Sequence, residues 1–275
     1  MAPSLFRGRV AVVTGAAKGI GRATALRFAA AGARVAGCDT DEAGLHATLA
    51  DCQALGSATL GAAVDVGDAA QVQAFADRVE RELGPSFCLV NNAGVGLAGH
   101  FFETELADWD WLLRVNLLGA VHGTRSFAPF MRERGEGRIV NVASASGYCN
   151  LPGLAAYGTT KYAVVGLSEA LRAELLPAGV KVSVVCPGLI ATSILETARI
   201  RGAADVERER ESLQAFYRRR GHSPETVAKA IVGAAESGRA LVPVTSEAWL
   251  LYVTKRAAPW ALPWLLRAAE RLERK

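Results

Sequence analysis

Cysteine is scarce. The 275 residues hold five (Cys38, Cys52, Cys88, Cys149 and Cys186), odd in number, far apart and without a CxxC pair. That pattern excludes a disulfide framework and a thiolate zinc site, and predicts reduced core thiols. Histidine is scarcer, with His46, His100, His122 and His222 dispersed along the chain, so no metal site is expected. No stretch offers about 18 uncharged apolar residues, so a spanning helix is not expected. The first ten residues, MAPSLFRGRV, lack the apolar run of a signal peptide, which predicts a cytoplasmic protein. Charge of one sign is also missing. The formal net charge is only +4, and the arginines are scattered with no basic stripe interleaved with aromatics. Nucleic acid is therefore not an expected partner.

What is present is apolar and rhythmic. Hydrophobic residues make up 51% of the chain, enough for one large core. Short β-branched runs at 9–15, 34–39, 58–66, 87–92, 137–144, 180–188 and 239–244 read as strands buried on both faces. Helical patterns lie between them, near 19–31, 41–54, 68–83, 104–134, 157–177 and 223–237. This alternation predicts an α/β fold: a Rossmann-like, doubly wound parallel sheet of about seven strands in three α/β/α layers. No linker or repeat divides the chain, so residues 1–245 are expected to form a single catalytic domain. Residues 193–222 are charged and helix-prone and are expected to act as a substrate lid. Residues 246–275 form an expected C-terminal helical extension, rich in tryptophan and basic at its end.

The first strand runs into TGAAKGIG, with glycines at Gly15, Gly19 and Gly21. Gly15 permits a sharp exit from the strand. Gly19 and Gly21 remove side chains where backbone would meet a pyrophosphate, and the helix that follows offers free N–H groups to its phosphates. Lys18 and Ile20 lie inside the same turn. Asp39 ends the second strand, where a carboxylate can accept from the ribose hydroxyls of an adenosine and repel a 2′-phosphate. Lys18 pulls the other way, because a lysine in the turn could meet that phosphate. Asp39 is weighted more, which predicts NAD(H) rather than NADP(H). Asp65 and Val66, ending the third strand, could receive the adenine.

A further pair stands out in YGTTK, where Tyr157 and Lys161 are four residues apart in an apolar stretch. TGAAKGIG, NNAG (Asn91–Gly94), Val115–Asn116, NVASASG (Asn141–Gly147), YGTTK and PGLIAT (Pro187–Thr192) follow one another as in the short-chain dehydrogenases/reductases, which this chain resembles strongly over about residues 7–192. Phe87 departs from the family, which often has Asp there, and is read as structural. The long tail is a second departure.

The resemblance implies a nicotinamide-dependent oxidoreductase with Asn116, Ser144, Tyr157 and Lys161 as its catalytic set. Asn92, Ala93 and Gly94 would pass under the adenosine ribose, and Pro187, Gly188, Ile190 and Thr192 would flank the nicotinamide. Tyr157 would be the general acid/base, since a cation one helical turn away favours phenolate. Lys161 would supply that charge and reach the nicotinamide ribose. Ser144 would hold the substrate oxygen, and Asn116 a water behind Lys161. Val95, Leu97, Phe101, Phe102, Tyr148, Leu151 and Leu154 are the expected pocket walls, which points to a small lipophilic alcohol or ketone as substrate. His100 reads as a rim residue and His122 as a core or interface residue. The family's habit implies a homotetramer or homodimer. The tail could pack on the domain or a neighbouring subunit, or make a weak contact with a membrane surface. Two rival readings keep the fold: a 3-oxoacyl thioester reductase using NADPH, and a non-catalytic cofactor-binding protein.

Overall fold

The computed structural model describes residues 4–262. Its strands are β1 (Val10–Thr14), β2 (Arg34–Asp39), β3 (Thr59–Ala63), β4 (Ser86–Asn91), β5 (Leu97–Ala98), β6 (Gly137–Val142), β7 (Val180–Cys186), β8 (Arg199–Ile200) and β9 (Leu241–Pro243). Its α-helices are α1 (Gly19–Ala30), α2 (Glu42–Ala54), α3 (Ala69–Glu82), α4 (Leu106–Leu112), α5 (Gly119–Arg134), α6 (Ala155–Leu175), α7 (Ile194–Thr197), α8 (Val206–Arg220), α9 (Pro224–Ser237) and α10 (Ser246–Ala257). Seven strands form one parallel sheet in the order β3-β2-β1-β4-β6-β7-β9.

Side chains alternate across this sheet as the pleat requires. Ala11 and Val13 of β1 face a core built with Phe28 of α1, Leu49 of α2 and Ile231 of α9. Val10 and Val12 face the other core, with Phe75 of α3, Phe127 and Met131 of α5 and Leu175 of α6. Both faces are covered, giving the expected three layers. Phe87 belongs to the first core and lies under the Arg9 guanidinium, 3.9 Å from the ring centre. The strand order reverses between β1 and β4, and ligands bind such sheets at the carboxyl ends beside that reversal.

The expected helix over 104–134 is not continuous. A π-helical turn, Leu113–Leu118, separates α4 from α5. Its buried Asn116 bonds the backbone of Val95 on both sides: Oδ1 accepts from Val95 N at 2.8 Å, and Nδ2 donates to Val95 O at 3.0 Å. Several strands are also shorter than the apolar runs suggested. The third ends at Ala63, so Asp65 and Val66 follow it, and the sixth ends at Val142, so Ser144 follows it.

Segment 193–222 folds as α7, β8 and α8. It is clasped at its base. The two-residue strands β5 and β8 pair in parallel. The carboxylate of Asp108, fully buried in α4, accepts from Arg199 Nη1 at 2.9 Å and from Arg201 Nε at 2.8 Å. The Arg201 bonds, then Arg199, overcome the cost of burial and hold the Asp108 carboxyl well below the usual range. Among the described residues no helix is long and apolar enough to cross a membrane. Residues 263–275 of the extension, with Trp264, Arg267 and Lys275, lie outside the described residues.

Candidate active site

The glycine turn leaves β1 with Gly15 at φ 66° and Gly19 at φ 57°, the left-handed region that glycine adopts without strain. A side chain on Gly21 would overlap the Gly15 carbonyl oxygen, so the turn can close only around glycine. Thr14 locks it to the neighbouring strand. Its hydroxyl accepts from Asn92 N and Ala93 N, both at 3.0 Å, and Asn92 Nδ2 donates to Thr14 O at 2.9 Å and Gly15 O at 3.1 Å. Asn92, Ala93 and the turn thus form one surface. Thr14 was legible as part of the motif, but its bracing role was not.

The first turn of α1 has no side-chain cap and no acidic residue. Lys18 occupies the N-cap with its ammonium turned outward, 3.6 Å from Glu196 of α7. Asp39 lies against the turn. Its Oδ2 accepts from Ala17 N at 2.9 Å and its Oδ1 from Asp41 N at 3.0 Å. Uncapped N–H groups, tight glycines and an adjacent carboxylate fit a dinucleotide's phosphates and adenosine ribose. Gly15, Lys18, Gly19, Ile20, Gly21, Asp39, Asn92, Ala93 and Gly94 are therefore together. Asp65 is engaged by Arg114 at 3.0 Å and by Gly67 N at 2.8 Å. Val66 is buried, and its carbonyl lies 2.8 Å from His122 Nδ1, which gives that histidine a place in the packing.

Past β6, the Ser144 hydroxyl accepts from Ser146 N at 3.1 Å. Tyr157 projects from the first turns of α6, with the Ser144 side chain near enough to its phenol to act on its titration. Burial pushes the Tyr157 phenol above its ordinary range, the nearby Tyr217 phenol of α8 adds to that, and Ser144 opposes both. Tyr217 is thus a neighbour that the motifs did not reveal. Lys161 is buried, and its Nζ donates to Val142 O at 3.2 Å and lies 5.7 Å from the Tyr157 ring centre. Burial lowers it to about 8.

The two residues are close, as the spacing implied, but desolvation dominates both: each is pushed toward its neutral form. Asn116 Nδ2 also donates to Thr160 Oγ1 at 3.2 Å. A Cβ on Gly94 would come within 3.3 Å of Asn116 Oδ1 and 3.5 Å of Lys161 Nζ, so glycine keeps that approach open.

The expected wall residues divide. Val95 and Leu97 pack with Tyr157, and with Trp109 and Trp111 of α4, which sequence reasoning did not select. Phe101 and Phe102 are exposed, and Leu151 lies at the surface on the adjoining loop. Tyr148 is instead part of the core beneath α10, its hydroxyl donating to Ala248 O at 2.8 Å. Pro187, Gly188, Ile190 and Thr192 follow β7. Pro187 O accepts from Ala145 N at 2.7 Å, and Thr192 Cβ would lie 3.6 Å from a Cβ on Gly19. The PGLIAT loop therefore joins the Ser144 segment to the glycine turn.

Comparison with known proteins agrees with this fold. The family described as short chain dehydrogenase matches residues 9–201. EphD of Mycobacterium tuberculosis, whose name classes it with the oxidoreductases, is 42% identical over 262 residues, 94% of this chain. Those residues span only 44% of EphD, so the chain covers about half the length of that relative. SadH of Mycobacterium tuberculosis, also named among the oxidoreductases, is 40% identical over 92% of each chain. A short chain dehydrogenase/reductase from Burkholderia phymatum, solved in complex with NAD, superimposes with a TM-score of 0.85 at 33% identity. That match covers 94% of this chain and 96% of the other.

Proposed function

This chain belongs to the short-chain dehydrogenase family, and from that premise we propose that it transfers a hydride between NAD(H) and a lipophilic secondary alcohol or its ketone. The observation that carries the reading is the meeting of Ser144, Tyr157 and Lys161 beside the uncapped end of α1. The nicotinamide, when bound, supplies the hydride acceptor or donor. Tyr157 handles the proton at its phenol oxygen. Its raised pKa keeps it protonated at neutral pH, the form that donates to a ketone oxygen. Ser144 directs a hydrogen bond to that same oxygen. Lys161, at about 8, is still mainly cationic at neutral pH and favours the phenolate that alcohol oxidation requires. Asn116 braces the loop at Val95 and steadies Thr160 behind them.

Asp39 supports NAD(H) over NADP(H). It is held beside the glycine turn by two backbone N–H groups, where its charge would repel a 2′-phosphate, while Lys18 is partly neutralised by Glu196. The apolar neighbours of Tyr157 support a lipophilic substrate, with 193–222 as the lid over it. Exposed Leu118 and Tyr162 support pairing into a homodimer or homotetramer along α5 and α6. Outward Trp249, Leu250, Val253 and Trp260, next to exposed Lys255 and Arg256, support a weak contact with a membrane surface, which vesicle flotation would test.

The deciding experiment screens secondary alcohols, ketones, polyols and 3-oxoacyl thioesters with NAD(H) and NADP(H). Lipophilic ketones and alcohols are expected to turn over with NAD(H), and Tyr157→Phe to lose turnover while still binding cofactor. Retained activity in that variant would sink the mechanism. A preference for polyols or for thioesters with NADPH would replace the substrate class.

A further inference from the structure

The C-terminal extension reads as an appendage in sequence, yet its first turn reaches the loop after β7. Glu247, the second residue of α10, points its carboxylate at that loop. Its Oε1 accepts from Leu189 N at 3.0 Å. Its Oε2 lies 3.6 Å from His222 Nε2, at the far end of segment 193–222. The backbone ties the same two places together. His222 N donates to Leu189 O at 2.8 Å, and Ala191 N donates to His222 O at 2.9 Å.

The fit is close. A side chain on Gly188 would overlap both Thr245 Oγ1 and Glu247 Oε1, so the loop can lie against the extension only with glycine there. Thr245 is buried and caps α10, its hydroxyl accepting from Ala248 N at 3.4 Å. Ala248 is fully buried and receives the Tyr148 hydroxyl from the segment that follows Ser144. Burial alone would raise the Glu247 carboxyl. The Thr245 hydroxyl, the residue's own N–H, Leu189 N–H and His222 outweigh it and bring the carboxyl below its usual range. It is therefore charged at neutral pH, and a charged acceptor makes the stronger hydrogen bond.

We infer that Glu247 is a positioning residue that holds the Pro187–Thr192 loop, and with it the end of segment 193–222, from the C-terminal extension. Leu189 N–H has one direction to bond, and Glu247 sets it. The loop then presents Ile190 and Thr192 in one fixed arrangement beside the glycine turn. This rests on the proposed function only where it concerns the cofactor. The anchoring itself is a property of the fold.

The test compares Glu247→Ala and Glu247→Gln with the full-length protein. Hydrogen exchange of the segment around Leu189 reads the anchor directly. Exchange is expected to accelerate about tenfold or more in Glu247→Ala, the factor that accompanies loss of one charge-assisted hydrogen bond. Glu247→Gln should stay close to wild type, because its carboxamide oxygen still accepts from Leu189 N. NADH binding and cofactor KM should weaken about tenfold in the alanine variant and about twofold in the glutamine variant, with substrate KM moving less. Unaltered exchange in Glu247→Ala, or equal loss in both variants, overturns the inference. Should Glu247→Ala fail to fold, Glu247→Met, which keeps the length of the side chain but has no acceptor, carries the test: faster exchange around Leu189 than in Glu247→Gln is expected, and exchange as slow as wild type overturns the inference. A wild-type protein that binds no nicotinamide cofactor would defeat the functional reading instead, and the exchange experiment would still decide the anchor.

Discussion

Lys161 sits at the centre of the proposed chemistry and weakens the fold that holds it. Only 5% of the residue is exposed, and its ammonium donates to one carbonyl, that of Val142. Among the described residues no carboxylate pairs with it. The drop from 10.5 to about 8 corresponds to about 3 kcal/mol of burial penalty. Lys161→Met keeps the length of the side chain and removes the charge. It also orphans the Val142 carbonyl, at a cost of about 1 kcal/mol. The net expectation is a gain of about 2 kcal/mol at neutral pH, or about 4–8 °C in Tm for a domain of this size. Activity should be lost at the same time.

The pH dependence fixes the cause. The folded pKa lies below the unfolded one, so between about 8 and 10.5 the unfolded chain binds more protons and wild-type stability climbs with pH. The advantage of the methionine variant is therefore full below about 8 and gone above 10.5. Urea unfolding of nucleotide-free protein across that range measures it, because bound nucleotide would stabilise the native state by mass action. A methionine variant less stable than wild type at neutral pH, or an advantage that does not change with pH, refutes the reasoning.

Asp39→Ala should lower the NAD(H)-over-NADP(H) ratio of kcat/KM by about tenfold, the worth of one charged hydrogen bond; an unchanged ratio would assign the preference elsewhere. Asp108→Ala releases Arg199 and Arg201 and should cost about 2 kcal/mol, discounted because both arginines are partly solvated. Limited proteolysis within 193–222 should quicken in that variant, and equal cleavage rates would mean that the clasp is idle. Gly21→Ala should prevent the glycine turn from closing and abolish NADH binding, which fluorescence titration would show. Alcohol oxidation should still be rising between about pH 7 and 8, because the half-buried Tyr157 phenol titrates above its ordinary range while Lys161 keeps its charge up to about 8; a plateau already reached near neutrality would indicate another base.

The seven-strand sheet was legible because buried parallel strands are continuous β-branched runs, and Val10–Val13 or Val180–Val185 can be little else. The glycine turn and the Tyr157–Lys161 pair were legible as spacings. The break at Leu113–Leu118 was not, since apolar periodicity registers faces and not a single surplus residue. Strands β5 and β8 were hidden for a different reason. Two residues carry no pattern, and their pairing depends on Asp108 fixing arginines 91 and 93 positions further along the chain. The spacing of Tyr157 and Lys161 implied mutual tuning, but could not say that burial would outweigh it. Tyr148 looked like a pocket wall because it follows Ser144, and only its bond to Ala248, 100 positions on, reveals it as packing.

The π-helical turn also bears on how this chain can vary in length. An α-helix rotates by about 100° per residue, so a surplus residue changes the phase of everything beyond it. Ahead of the turn, Leu112 and Trp109 are phased toward Tyr157. Behind it, Gly123 is phased toward Asn91 so closely that no side chain would fit between them, and Phe127 toward the sheet. One uninterrupted helix could not serve both directions. Deleting a single residue from Leu113–Leu118 would restore a regular helix and swing either Trp109 or Gly123 off its contact. Substitution within the turn is therefore expected to be tolerated more readily than any change in its length, with Asn116 the exception because it sits at the splice.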